Sequence, residues 1–249
     1  MTRPKATAAA ATSAAKGPRQ RLCRNIRVTP RKRESRTSAQ SNKKLDSRLR
    51  GSDDGNMARP QSPDYDKRRE SLLAAAARLY AEKGFPGASV AELAKACRTS
   101  KSLIYHYFPS KDDILYAVMA EHLDALTEAA ETACASGSAD DKLRTLTVAF
   151  MRLYASAQNH HKVLLNELDR LPPKRRAEVI AKQRRIIAAA ESVIAEIAPG
   201  GGARVNTMLF FGMINWTHTW FDPGGPFMPE ALALRVVEIM QRGVTPQAS

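Results

Sequence analysis

Several features that define common protein classes are scarce or missing in this 249-residue chain. It has only three cysteines, Cys23, Cys97 and Cys134, and no Cys-x-x-Cys pair, which argues against a disulfide framework and against a zinc site. No apolar run approaches the length of a membrane span, and the N-terminus lacks the hydrophobic core of a signal peptide. We therefore expect a protein of the reducing cytoplasm that makes no membrane contact.

Motifs of catalysis are also missing. The sequence contains no G-x-S-x-G, no G-x-x-x-x-G-K followed by Ser or Thr, no H-E-x-x-H and no Rossmann glycine pattern. The histidines His160, His161 and His218 form no i, i+4 pair with carboxylates, so we expect neither a metal nor a cofactor. We predict that the protein is not an enzyme. An enzyme that turns over a ligand in a helical pocket is kept as an alternative.

The chain is strongly basic, with a formal net charge of +14, but the charge is unevenly distributed. Residues 1–56 contain 15 Lys and Arg but only four Asp and Glu. Residues 57–249 contain the other 24 Lys and Arg and the other 21 Asp and Glu. The second part is only mildly basic, so its affinity for nucleic acid must come from a local patch. A protein that coats DNA nonspecifically through a basic tail is a further alternative.

Residues 1–56 contain no aromatic residue and too few aliphatic ones to offset the entropy of ordering. We expect a disordered basic tail there. Three interpretations stay open: an arm that binds phosphates nonspecifically, an inert solvated tail, or a segment upstream of a true translation start at Met57.

Helical periodicity dominates residues 57–249 and no strand pattern competes, which predicts an all-α fold of about nine helices. We place a DNA-facing domain at 57–126 and a second helical domain at 127–249. The expected helices lie near 66–83, within 89–108 as a pair, from Ser110 toward Ala135, and near 140–157, 160–170, 173–198, 203–221 and 229–242.

The pair within residues 89–108 predicts a helix-turn-helix. Ser89 can cap the first helix, and Glu92 three residues later can complete a capping box. Ser100 can cap the second helix, which has one apolar side and one side rich in hydrogen-bond donors. Such a helix suits the major groove of DNA. The predicted DNA-binding residues are Ser89, Ser100, Lys101, Ser102, Tyr105, His106, Tyr107 and Lys111. A helical hairpin without DNA contact is the alternative, but it leaves the exposed donors unexplained.

About forty residues carry a resemblance to a known family. The matching positions are Leu79-Tyr80, Gly84-Phe85, Ser89-Val90, Leu93-Ala94 and the run from Ser100 to Lys111. They resemble the DNA-binding domain of the tetracycline-repressor (TetR) family. The resemblance implies an all-helical homodimer whose N-terminal helix-turn-helix grips operator DNA and whose C-terminal domain binds a small molecule that releases it.

Three positions depart from the family pattern. Ala88 stands where a Thr often helps to hold phosphate, and Ser102 stands where a second Gly is frequent. Arg98 stands where the turn usually has Gly, and a left-handed backbone there would cost a non-glycine residue about 1 kcal/mol. Either the turn differs or the strain is tolerated.

The segment 205–220 is apolar nearly all round, so it must be covered on more than one side. Gly212 would permit close helix approach, and the last helix adds an apolar stripe. Two such helices from each subunit would form a four-helix dimer interface, as the TetR resemblance also implies. The predicted interface residues are Val205, Met208, Gly212, Leu232, Val236, Ile239 and Met240. A core within a single chain is the alternative.

An effector pocket is expected in the second domain, mostly apolar with a few polar groups for orientation. The candidate residues are Phe150, Tyr154, Leu164, Leu168, Phe211, Asn215, Trp216, His218 and Trp220. For each of them, ordinary core is the default interpretation. The segment 215–221 is also similar to regulators of fatty-acid, steroid or aromatic-acid catabolism that respond to acyl-CoA thioesters. That resemblance implies that the basic side chains of the helix after Pro173 meet the CoA phosphates, although a solvated face is the default explanation for them.

The sequence thus favours a ligand-responsive transcriptional regulator, most simply a homodimeric repressor that leaves a palindromic operator when a small apolar or acyl-CoA effector binds.

Overall fold

The computed structural model describes residues 63–244, and every regular element in that range is helical. The predicted all-α class is confirmed. The interpretations offered for residues 1–56 lie outside the described residues. The nine α-helices of this range are α1 (Pro63–Gly87), α2 (Val90–Ala96), α3 (Lys101–Tyr107), α4 (Lys111–Cys134), α5 (Ala139–Ser156), α6 (Gln158–Asn166), α7 (Pro173–Ile197), α8 (Ala203–Trp216) and α9 (Pro229–Val244).

Two of these helices are shorter than the sequence pattern suggests. The pattern extends the helix of α6 to residue 170 and that of α8 to residue 221. In the structure, separate 3-10 turns at Leu168–Arg170 and Thr217–Thr219 follow these helices. The tighter turns redirect the chain, so the side chains beyond α8 no longer continue its faces.

Helix α1 buries one side and changes direction near its end. Leu73 and Ala76 are fully buried on the inner side, together with Tyr80. Gly84 has φ 73° and ψ 158°, outside the helical region, which interrupts the helix where the sequence places its end. Glycine tolerates this conformation because it has no Cβ.

Helix α4 is the centre of the fold. It packs against α1, α5, α6 and α7, and its inner residues, such as Leu115 and Val118, are fully buried. Three residues separate it from the end of α3, so the position of the helix-turn-helix depends on α4. Helix α6 also packs against α1. The domain boundary placed at residue 126 falls within α4 and stays a prediction.

The remaining helices form the second half of the core. Helix α5 packs against α4, α7 and α9, and α8 packs against α7 and α9. Phe150 of α5 and Phe210 of α8 are fully buried there.

Candidate DNA-binding and effector sites

The helix-turn-helix is held together by local hydrogen bonds that the sequence predicts. The Ser89 hydroxyl accepts a hydrogen bond from the Glu92 amide (3.1 Å), and the Ser89 amide donates to the Glu92 carboxylate (2.9 Å). Lys83 also donates to Glu92 (2.5 Å), and these contacts lower the pKa of Glu92 to about 2, Lys83 being the largest cause. The predicted capping box is present, so the start of α2 is fixed.

The turn between α2 and α3 carries backbone strain. Arg98 has φ 50° and is the one non-glycine residue with a left-handed backbone within residues 63–244. The Thr99 amide donates to the Ala94 carbonyl (2.9 Å), which closes the turn. Ser100 then caps α3 by accepting from the Leu103 amide (3.1 Å). Of the two outcomes expected at Arg98, the structure shows the tolerated strain.

Helix α3 separates its apolar and polar sides as predicted. Ile104 is fully buried beneath it. Tyr107 is half-buried, and its ring stacks on Tyr65 with centroids 4.5 Å apart. The opposite side is exposed and carries Lys101, Ser102, Tyr105 and His106. Ser89 and Ser100, also expected at DNA, use their hydroxyls as helix caps.

The side chain of Lys111 binds to another segment of its own chain. Its ammonium donates to the Phe85 carbonyl (2.5 Å) and lies 4.2 Å from the centroid of the Phe85 ring. This contact ties the start of α4 to the end of α1 across 26 residues. The predicted phosphate contact of Lys111 would have to compete with it.

Unpaired cations lie beside the turn instead. Lys67 and Arg68 of α1 line a concave surface together with Arg98 of the turn. Among the residues that the structure describes, these three cations and Lys101 enter no ion pair. Asp64 lines the same surface and partly offsets the charge. This surface is therefore the candidate for the local basic patch that the charge distribution predicts.

The candidate effector residues separate into a buried and an exposed group. Phe150, Tyr154 and Phe211 are buried with ring centroids 6.2 Å apart in both the Phe150–Tyr154 and the Phe150–Phe211 pair. Leu164 and Leu168 are buried in the same hydrophobic core. All five pack as core side chains.

The polar members lie beside this group, whereas the tryptophans do not join it. The Tyr154 hydroxyl donates to the Asn215 side chain (3.0 Å), and His218 Nδ1 donates to the Asn215 carbonyl (2.6 Å). Trp216 and Trp220 are 51% and 55% exposed on the surface. Both lie apart from the buried residues, because α8 ends at Trp216 and the following turn places Trp220 on the surface, so their role in the effector site stays a prediction.

A pair of buried histidines joins the same group. His122 Nε2 lies 3.2 Å from His161 Nδ1, and the His161 ring stacks on Tyr154 with centroids 3.7 Å apart. Burial lowers the pKa of His122 to about 4, with a smaller effect of His160. Burial, then His122 and His218, lowers the pKa of His161. Within residues 63–244, His161 Nε2 has no hydrogen-bond partner, and leaving a buried polar group unsatisfied costs about 1–3 kcal/mol. Sequence inspection missed His122 because it is 39 residues from His161.

The predicted dimer residues divide into three groups. Val236 and Met240 of α9 are buried in the core of their own chain, as the single-chain alternative expects. Val205 and Gly212 of α8 are exposed, and so is Ile239 of α9. Met208 and Leu232 are half-buried against the core. An apolar stripe repeats along one helix face, but its period does not say which chain covers it.

The exposed side of α8 forms a continuous apolar face, which we define as Val205, Leu209, Gly212 and Trp216. These residues follow each other at intervals of four, three and four, which places them on one side of a helix. Val205 and Leu209 are 63% and 61% exposed. Leu209 and Trp216 were missing from the predicted interface.

Two family models account for most of the described range. One, described as "Bacterial regulatory proteins, tetR family", matches residues 72–118, and another, described as "Tetracyclin repressor-like, C-terminal domain", matches residues 136–244. The chain belongs to the TetR family.

Individual TetR-family proteins are similar along most of the chain. A TetR-family regulator from Bordetella parapertussis is 36% identical, with a TM-score of 0.68 over 71% of this chain and 95% of its own. The transcriptional repressor KstR2 of Mycolicibacterium smegmatis is 25% identical over 75% of this chain and 95% of its own. AibR, in a crystal structure with isovaleryl coenzyme A and operator DNA, is 25% identical in sequence to this chain. The TM-score is 0.63, and the match covers 69% of this chain and 97% of the AibR chain.

Membership of the TetR family confirms the prediction of a DNA-binding transcriptional regulator. The similarities support neither the enzyme nor the DNA-coating alternative. Within residues 63–244, no helix combines the length and the hydropathy needed to cross a membrane.

The basic helix α7 of this TetR-family chain is largely paired with acidic side chains. Its partners lie mainly on α4. The ion pairs are Arg175 with Asp113 (3.1 Å), Arg176 with Asp169 (3.6 Å), Lys182 with Asp124, and Arg185 with Glu131 (2.9 Å). Most of the cations expected to meet CoA phosphates are therefore already engaged, and the solvated, salt-bridged face is the better description of α7.

Proposed function

We propose that this TetR-family regulator is a cytoplasmic homodimeric repressor, which binds a palindromic operator and leaves it when an apolar or acyl-CoA-type effector binds within residues 127–249. The proposal is supported by the similarity to the repressor KstR2 and to AibR, which has been crystallised with an acyl-CoA and operator DNA. It assigns no catalytic step to the bound ligand.

The exposed side of α3 is assigned to the operator. Lys101 and Ser102 stand at the N-terminal end of this helix, the part that reaches base edges in helix-turn-helix proteins. Lysine and serine can both donate to base acceptors in the major groove. The unpaired cations Lys67, Arg68 and Arg98 are assigned to phosphates, which position the helix without reading sequence.

The apolar face of α8 is assigned to a second copy of the chain. Exposed apolar side chains at helical spacing are stabilised when another helix covers them. A two-fold dimer gives both copies the same contact and presents two recognition helices to two half-sites. Those half-sites should lie about 34–36 Å apart, or a multiple of that distance.

The effector is assigned to the buried group around Phe150, Tyr154 and Phe211. This group contacts α4 through His122, and α4 begins just after the recognition helix. An effector can shift the spacing of the recognition helices only by the difference in its affinity for the two conformations.

The observation that carries the proposal is that one protomer exposes both a donor-rich face on α3 and an apolar face on α8. The test is a thermal-shift screen of the full chain against isovaleryl-CoA, octanoyl-CoA, free CoA and the free acids. A ligand at a hundred times its dissociation constant adds about 2.7 kcal/mol of stability, which raises the melting temperature by several degrees. An effector identified in this way should also release the operator. Stabilisation without release would contradict the assignment as effector.

A further inference from the structure

The partnerless nitrogen of His161 is unusual within the described part of the chain. It is the one fully buried side-chain nitrogen or oxygen there that has no hydrogen-bond partner. Other buried polar groups have partners, since Tyr154 donates to Asn215 and the Thr147 hydroxyl donates to the Leu143 carbonyl (2.6 Å). A buried nitrogen without a partner in the protein calls for one outside it, which is either a water molecule or a ligand.

The surroundings of this nitrogen are largely aromatic. Tyr154 stacks on the His161 ring, Phe150 lies next to Tyr154, and Phe211 lies next to Phe150. Half-buried polar side chains at Asn215 and His218 lead from this group toward the surface. The arrangement suits a ligand that has an apolar body and one polar atom.

The contact between His122 and His161 determines where the protons lie. In a neutral imidazole one nitrogen donates and the other accepts, so the 3.2 Å contact couples the two tautomers. If His122 donates from Nε2, both rings carry their proton on Nε2, the form that a neutral histidine side chain prefers. If His161 donates from Nδ1, both rings carry their proton on Nδ1, which is the less favoured form of a neutral histidine. The first arrangement leaves an N–H donor at Nε2 of His161.

A buried donor of this kind selects an uncharged acceptor. Lysine and arginine are absent from the side chains that contact His161 through its rings and nitrogens, which are His122, Tyr154 and His218. A carboxylate placed here would lose its hydration and gain one neutral N–H, which does not compensate a buried charge. A ketone, ester, amide or thioester oxygen has no such penalty.

We propose that Nε2 of His161 donates a hydrogen bond to an uncharged carbonyl oxygen of the effector, whose apolar part packs against Tyr154, Phe150 and Phe211. This inference rests on the proposed function, because it places the effector among these residues. It adds the chemical class that the site accepts and the atom that recognises it.

The same position connects the ligand to the DNA-binding helices. His161 belongs to α6, which packs against α1, and its partner His122 belongs to α4, which also packs against α1. A carbonyl bound at Nε2 therefore contacts α6 directly and α4 through the His122–His161 contact. A shift of α6 or α4 on binding would be transmitted to α1, which packs against both of these helices and against α2.

The test compares carbonyl compounds with matched compounds that lack the uncharged carbonyl. Isothermal titration of the full chain uses octanoyl-CoA, free CoA, methyl heptyl ketone and octanoate, the last two being close in shape. We expect both carbonyl compounds to bind, and the ketone to bind at least tenfold more tightly than octanoate.

Three variants identify the atom responsible. His161→Phe keeps the stacked ring and removes the donor, so affinity for both carbonyl compounds should fall about threefold to tenfold, the loss of one hydrogen bond. His161→Gln places an amide donor near the same point and should restore most of the affinity. His160→Phe, on the same helix and half-buried, is the matched control and should bind as the wild type does.

Each result decides between the two proposals. If octanoyl-CoA binds and releases operator DNA but His161→Phe binds it equally well, the inference is wrong and the proposed function stands. If octanoate binds more tightly than the ketone, the inference is also wrong and the proposed function again stands. If neither carbonyl compound binds the wild type, the inference is wrong, and the thermal-shift screen decides the proposed function separately. Nitrogen-15 NMR of the wild-type imidazoles provides a ligand-free test, because a proton on Nδ1 of His161 would overturn the inference even if a variant failed to fold.

Discussion

Replacing Arg98 with glycine is expected to stabilise the protein. The left-handed backbone at φ 50° costs a non-glycine residue about 1–2 kcal/mol. Glycine removes that strain but makes the unfolded chain more flexible, which costs about 0.5–1 kcal/mol. Arg98 enters no ion pair with the rest of residues 63–244, so no such contact is lost. The net gain should be about 0.5–1 kcal/mol, or a melting temperature higher by roughly 1–4 °C.

Arg98→Ala is the control, because it removes the same charge and keeps the strained backbone. Differential scanning calorimetry of the three proteins should rank Arg98→Gly as the most stable, with the alanine variant at or below the wild type. Equal stability of the two variants would show that the backbone strain is absent in solution. Both variants should reduce the salt dependence of DNA binding by the same amount, about 0.9 in the logarithmic slope, if the guanidinium contacts a phosphate.

Three other substitutions or conditions test separate parts of the structure. Gly212→Leu should raise the dimer dissociation constant about tenfold or more in analytical ultracentrifugation, because overpacking costs about 1–3 kcal/mol. A side chain added at Gly212 meets nothing within 4 Å among residues 63–244, so unchanged association would show that this face is not the interface. Lys111→Ala should lower stability by about 1 kcal/mol through loss of the Phe85 contact, and a wild-type melting temperature would contradict that anchoring role. Stability should also fall as the pH drops from about 6.5 toward 4, since the folded state holds the pKa of His122 at about 4 and the unfolded chain binds the proton first. The loss from His122 near pH 5 is about 2 kcal/mol, and urea denaturation curves that coincide at about pH 5 and 7.5 would exclude it.

The helix-turn-helix could be predicted in detail because its determinants are local. Ser89, Ser100 and Ser110 each cap a helix through an amide three residues later, so the helix starts are visible in a short window of sequence. The exposed and buried sides of α3 also follow from helical period alone. Even the strain at Arg98 could be anticipated, because glycine is the usual residue at that point of the turn.

Contacts between distant segments could not be predicted in this way. The bond from Lys111 to Phe85 spans 26 residues, and the contact between His122 and His161 spans 39. Nothing in the local pattern of either segment indicates its partner. The same limit applies to the apolar stripes, since Val236 is covered by its own chain and Val205 is not, although both fit a helical period.

The proposed repressor depends above all on two copies of this chain reading a palindromic operator through α3. The most direct measurement is selection of bound sequences from a library of random DNA duplexes by the full chain, with Lys101→Ala selected in parallel. We expect an inverted repeat with half-sites about 34–36 Å apart or a multiple of that distance, and a changed base preference within each half-site for the variant. Recovery of no motif, or of a motif without two-fold symmetry that the variant shares, would contradict it.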